Sequence, residues 1–76
     1  MKGILVFNNG RPDIAYKNGT MYGGLHCGDC INCFVDGTWK VARIEYCNDW
    51  FFVCSGKVMP IPYGSDVEKR YFGDNC

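Results

Sequence analysis

Three turn pairs punctuate the 76-residue chain: Asn9-Gly10, Asn18-Gly19 and Asp36-Gly37, each set between runs rich in Ile, Val, Phe, Tyr or Trp. Tight hairpins of type I′ need positive φ at both central residues, a conformation that Asn, Asp and Gly tolerate and most residues do not. A chain so punctuated has little choice but to fold back on itself repeatedly. It predicts one mainly β domain spanning 1–76, with antiparallel neighbours joined by short turns.

Alternating polarity places strands near 3–8, 12–17, 20–26, 30–35, 38–46, 50–55 and 57–61. Ile31, Cys33 and Val35 alternate with Asn32 and Phe34, as on a half-buried strand. In 38–46, Trp39 and Val41 share one face while Ala42, Ile44 and Tyr46 share the other. Such a switch of the apolar side predicts a β-bulge or a barrel corner, with Trp39 in the core. Trp50-Phe51-Phe52-Val53 is apolar on both faces. Pro60 and Pro62 end the sheet, because proline cannot donate to a ladder. Beyond them, Ser65-Asp66-Val67-Glu68 has the form of a capping box, and Val67 and Tyr71 stand at i and i+4. A short C-terminal helix near 66–72 is the expectation. The fold class is then a small antiparallel barrel or strongly bent sheet, comparable in size to an SH3 domain, plugged by that helix.

A domain this small buries only about 60% of the surface of its unfolded chain. It has little room for both a core and a deep pocket, so surface binding is favoured over turnover and no catalytic residue is assigned. Eight basic and eight acidic side chains give a formal net charge of zero. They are interleaved, so neither a phosphate-binding field nor an acidic nucleic-acid mimic is indicated, and direct nucleic-acid binding is not expected. The apolar run Ile4-Leu5-Val6-Phe7 is too short for a signal-peptide core of about 7–15 residues or a membrane span of about 20. The expected address is the cytoplasm, with no membrane association.

Six cysteines, Cys27, Cys30, Cys33, Cys47, Cys54 and Cys76, need an explanation. A disulfide framework fits the even count but not a cytosolic address. A zinc site could begin from Cys27 and Cys30, extended by Cys33 to C-x-x-C-x-x-C, with further ligands from Cys47 and Cys54 or from His26. But Cys47 and Cys54 are not at knuckle spacing, and Cys30 and Cys33 face opposite sides of an extended strand. The favoured reading is reduced cysteine acting as a small apolar residue, with Cys33 and Cys54 at inward strand positions, and no metal or other cofactor. His26 precedes Cys27, but neighbours on an extended strand face opposite ways, so they do not form a nucleophile–base pair.

The stretch Tyr22-Gly23-Gly24-Leu25-His26-Cys27-Gly28 is followed by Asp36-Gly37-Thr38-Trp39, then Arg43-Ile44-Glu45, then Asp49-Trp50-Phe51-Phe52-Val53. In order and spacing this resembles a small uncharacterised domain family of Firmicutes, of unknown function, over roughly residues 3–54. The resemblance implies an accessory product of prophages or conjugative elements, with Cys27 inside the shared motif and Cys33, Cys47, Cys54 and Cys76 outside it. From it comes the leading expectation: a non-enzymatic protein-binding module that inhibits a host defence machine, such as a CRISPR effector, by stoichiometric binding. The partner would be a host or phage protein, a nucleoprotein effector included, and the chain a monomer or weak dimer. Aromatic and Arg side chains dominate interface energetics. The anchors expected are Tyr22, Arg43, Tyr46 and Trp50, with an Arg43–Glu45 pair as the duller fate of Arg43. The alternatives are a single-stranded nucleic-acid-binding barrel and a small zinc module using Cys27 and Cys30.

Overall fold

In a computed structural model, residues 1–70 are described. They form β1 (Lys2–Asn8), β2 (Arg11–Tyr16), β3 (Cys30–Val35), β4 (Thr38–Tyr46), β5 (Trp50–Cys54), β6 (Lys57–Met59) and β7 (Asp66–Lys69). All pair antiparallel in one sheet of order β2-β1-β7-β3-β4-β5-β6.

The turn chemistry explains most of this. Asn9-Gly10 (φ 54° and 79°) and Asp36-Gly37 (φ 51° and 81°) take positive φ at both positions and join β1 to β2 and β3 to β4. Ser55-Gly56 does the same between β5 and β6 (φ 54° and 75°). Asn18-Gly19 is different. Only Gly19 turns left-handed (φ 87°), and the loop closes with the Gly19 N–H donating to Tyr16 O at 3.1 Å and the Tyr16 N–H to Thr20 O at 2.9 Å. The Asn18 side chain accepts from the Thr20 N–H at 3.1 Å and the Thr20 hydroxyl at 2.7 Å.

Four expectations are corrected. The helix near 66–72 is absent from its described part. Asp66–Lys69 is a strand inserted between β1 and β3, with Gly3 and Cys33 opposite Val67 on its two sides; residues 71 and 72 lie outside the described residues. The bulge in β4 is also absent, since its register with β3 and β5 runs unbroken. Ala42, Ile44 and their partners face inward, and Trp39 and Val41 lie on the outer face. Trp39 is therefore not core: it is 44% exposed, edge-on to Phe34 at 5.5 Å. Finally, 20–26 is not a regular strand. It follows the outer edge of β2 through the Tyr22 N–H to Ile14 O at 2.9 Å and the Leu25 N–H to Pro12 O at 2.8 Å.

The sheet does not close, because β2 and β6 are its two ends. It is strongly curled instead. One flat sheet would leave both faces wet, yet Leu5, Ile14, Ile31, Ile44, Phe52 and Val67, from six different strands, are all at 0% exposure. Leu25 and Ile61, both from loops, complete the core in place of a helical plug. Among the described residues, no helix is long and apolar enough to cross a membrane.

Candidate functional site

The curl brings the β1–β2 turn against the start of β5. The Trp50 indole Nε1 donates to the Gly10 carbonyl at 2.9 Å. The Arg11 guanidinium lies over the Trp50 ring, 5.3 Å from its centroid, and its Nη1 donates to Leu25 O at 3.3 Å. Tyr46 stands opposite Trp50 in the β4–β5 register, edge-on at 4.8 Å and 60°. These groups, with His26 and Cys27, line a shallow cleft of about 530 Å³. Tyr46 is 51% exposed, so the cleft offers aromatic surface to solvent. Its cation is Arg11, held in place by a ring and a carbonyl.

Of the anchors expected from sequence, Tyr46 and Trp50 meet here. Arg43 does not. It is three residues from Tyr46 on one strand, so the two project to opposite faces. Its Nε pairs with a Glu45 carboxylate oxygen, which is the duller alternative. Tyr22 does not line the cleft; it packs half-buried against the core, with the Lys69 ammonium 5.8 Å from its ring centroid. Arg11 was missed because its partner Trp50 is far away in sequence, and no local spacing announces such a pair.

His26 sits on the rim. Its backbone N–H donates to Asp29 Oδ2 at 2.8 Å, and its Nδ1 lies 3.8 Å from the same oxygen. The imidazole is 70% exposed. A base so loosely held and so well hydrated is poorly oriented for proton transfer.

The glycine pair beside the cleft has a structural cause. Asp13 is buried, and its Oδ1 accepts from the N–H groups of Ile14 (2.8 Å), Gly23 (3.0 Å) and Gly24 (2.8 Å). Gly23 and Gly24 have φ of 114° and 104°, which aims successive amides at one carboxylate. Burial alone would raise the Asp13 pKa; the amides of Gly24, Ile14 and Gly23 and the Asn8 side chain outweigh it and hold it below the ordinary value.

Among the described cysteines, Cys27 and Cys47 are exposed free thiols and Cys33 and Cys54 are buried ones. Burial pushes the Cys33 thiol up to about 11, so it behaves as an apolar group. Cys30 is disulfide-bonded, so the expectation of a fully reduced chain fails there, and the zinc alternative loses one of its two thiolates. Among the described residues, no group of three or more His, Cys, Asp or Glu side chains is placed to hold a metal ion.

A family model described as a domain of unknown function, DUF5348, matches residues 3–68. The chain belongs to the DUF5348 family. An uncharacterised domain family was the expectation from the Tyr22–Gly28 motif, and the match extends past residue 54 to take in most of β7. Every residue of the Arg11–Trp50 cleft lies inside the DUF5348 span. A crystal structure of a structural-genomics target protein from Ruminococcus gnavus is similar, at 35% identity and a TM-score of 0.73 over 88% of this chain and 97% of that one. No curated protein matches.

Proposed function

We propose that this DUF5348 domain is a non-enzymatic binding module that acts stoichiometrically on another protein through the Arg11–Tyr46–Trp50 cleft. The observation behind this reading is the preorganised trio itself. Trp50 is fixed by the Gly10 carbonyl, Arg11 by the Trp50 ring and the Leu25 carbonyl, and Tyr46 is left half in solvent. Rigid aromatic and Arg groups make strong interface anchors because little side-chain entropy remains to be lost on binding. The concrete form we propose is a cytoplasmic mobile-element product that blocks a host defence machine such as a CRISPR effector. Small size and balanced charge support it. The nucleic-acid alternative fits less well: Arg11 already covers one face of Trp50, so the ring is not a free platform for a base.

The test is capture of a partner from host lysate by the tagged chain, compared with Tyr46→Ser and Arg11→Ala. Capture lost in both variants at unchanged melting temperature is the expected result. Undiminished capture by both stable variants moves the interface elsewhere, and multiple turnover of any substrate overturns the class.

A further inference from the structure

β4 is longer than the strand beside it. Its register with β3 runs from Thr38 to Arg43, whereas β5 lies opposite only Ala42 to Tyr46. The Ser55-Gly56 turn then carries the chain away into β6. Over Thr38–Val41, about 13 Å of strand, β4 has a neighbour on one side and none from β5 on the other. Backbone groups of alternate residues in an antiparallel ladder point to opposite neighbours. The Ile44 N–H donates toward the β3 side, to Asp29 O at 2.9 Å. Even-numbered positions of β4 therefore face β3, and the Trp39 N–H and C=O, with the Val41 N–H, face the open side.

This open edge borders a notch of about 670 Å³ lined by Lys40, Val41, Arg43, Val53, Ser55 and Gly56. Lys57 follows directly on the Ser55-Gly56 turn and is exposed. Lys40 in the lining carries a positive charge, with Lys57 one residue beyond it, and Glu45 offsets Arg43. Asp36 lies in the turn before Thr38, and Asp66 borders Trp39 on the outer face together with Lys2 and Lys17. The sheet's two end strands are poorer acceptors: the outer edge of β2 is already paired by residues 20–26, and β6 is three residues long and is followed by Pro60.

We infer that the Thr38–Val41 edge of β4 receives an extended acidic segment of a partner protein as an added strand. Main-chain hydrogen bonds to Trp39 and Val41 supply the pairing, as in other strand-addition complexes. The lysines select the charge of the incoming segment. This surface is at the opposite end of β4 from Tyr46 and stands independently of the cleft.

The test uses the full chain and two fluorescein-labelled peptides, one alternating Glu with Val and the other alternating Lys with Val. Binding is read by anisotropy and by amide hydrogen exchange. The acidic peptide is expected to bind and to slow exchange at Trp39 and Val41 by about tenfold or more, while the Lys peptide does not. Lys40→Glu with Lys57→Glu is expected to weaken the acidic peptide at least about tenfold at unchanged melting temperature. Failure of the acidic peptide at millimolar concentration to protect these amides overturns the proposal, as does equal binding of both peptides. Protection that appears without peptide and rises with protein concentration makes a second copy of the chain the occupant, and also overturns it.

Discussion

Asp13 is the residue with most at stake per atom. Its carboxylate satisfies three backbone N–H groups, those of Ile14 and Gly24 buried and that of Gly23 part-buried. Asp13→Ala is expected to cost about 2–4 kcal/mol, because each buried donor left unpaired costs about 1–3 kcal/mol. The pH dependence has a definite sign. The folded-state pKa is below the ordinary value of 3.8, so the carboxylate's contribution is fully present above that value and is lost as pH falls through the folded pKa. Urea unfolding at neutral and strongly acidic pH should show a stability drop in the parent that is smaller in the alanine variant. Trp39 and Phe52 make a second contrast. Phe52 is at 0% exposure and Trp39 at 44%. Phe52→Ala should cost about 3–5 kcal/mol, the scale of the whole stability of so small a domain. Trp39→Ala should cost about 1 kcal/mol, mainly its edge contact with Phe34. Equal melting shifts for the two would contradict the assignment of β4's faces. In 38–46 both faces carry apolar residues, Trp39 and Val41 on one and Ala42, Ile44 and Tyr46 on the other. The pairing of Trp39 with Val41 after the Asp36-Gly37 turn argued for Trp39 inside; the curl put Ala42 and Ile44 there instead, packed in the core with Leu25 and Phe52.

At the scale of elements, the hairpins were legible because their turns are local: two residues set the geometry and the flanking strands follow. β7 was not. Asp66-Val67-Glu68-Lys69 alternates as a strand does, yet Ser65 and Glu68 also have capping spacing, and no local rule separates the two. Long-range pairing decides it. β1 and β3 each have an edge to satisfy, and Val67 fills the core between them at 0% exposure. The pairing is extended by the Leu5 N–H to Ser65 O at 2.9 Å and the Gly64 N–H to Leu5 O at 2.7 Å. Because β7 is, among the described residues, the sole strand joining the β1–β2 hairpin to the β3–β6 meander in the sheet order, Val67→Pro is expected to abolish folding as a whole rather than fray one end. Circular dichroism and tryptophan fluorescence should lose their native signals together. A variant that keeps a cooperative transition near the parent's would show β7 to be dispensable. Gly37→Ala gives a milder check: a Cβ there meets nothing within 4 Å, so its cost is backbone strain alone at φ 81°, about 1–2 kcal/mol.

At the scale of the molecule, the cleft and the curl are one feature. β1 and β5 are separated in the sheet by β7, β3 and β4, so a flat sheet would hold them about 19 Å apart. The Trp50 indole instead reaches Gly10 at 2.9 Å. This contact between distant strands is invisible to any local reading, which is why Trp50 was legible as an aromatic of interest and Arg11 was not. It also makes Trp50 a clasp as well as an anchor, and the two roles separate by substitution. Trp50→Phe keeps a ring beneath Arg11 and beside Tyr46 but loses the N–H donor. It should cost about 1 kcal/mol, the net worth of a typical hydrogen bond whose freed carbonyl can rehydrate. Trp50→Ala loses the ring contacts too and should cost about 2–3 kcal/mol, less than a fully buried aromatic because Trp50 is half-buried. Denaturant unfolding measures both. In the parent, proton spectra should show two indole N–H signals, with the Trp50 one exchanging more slowly than that of exposed Trp39, and Trp50→Phe should remove the slower. If the two indoles exchange alike, or if Phe and Ala at position 50 cost the same, the indole is not clasping the curl and the cleft's geometry is set elsewhere.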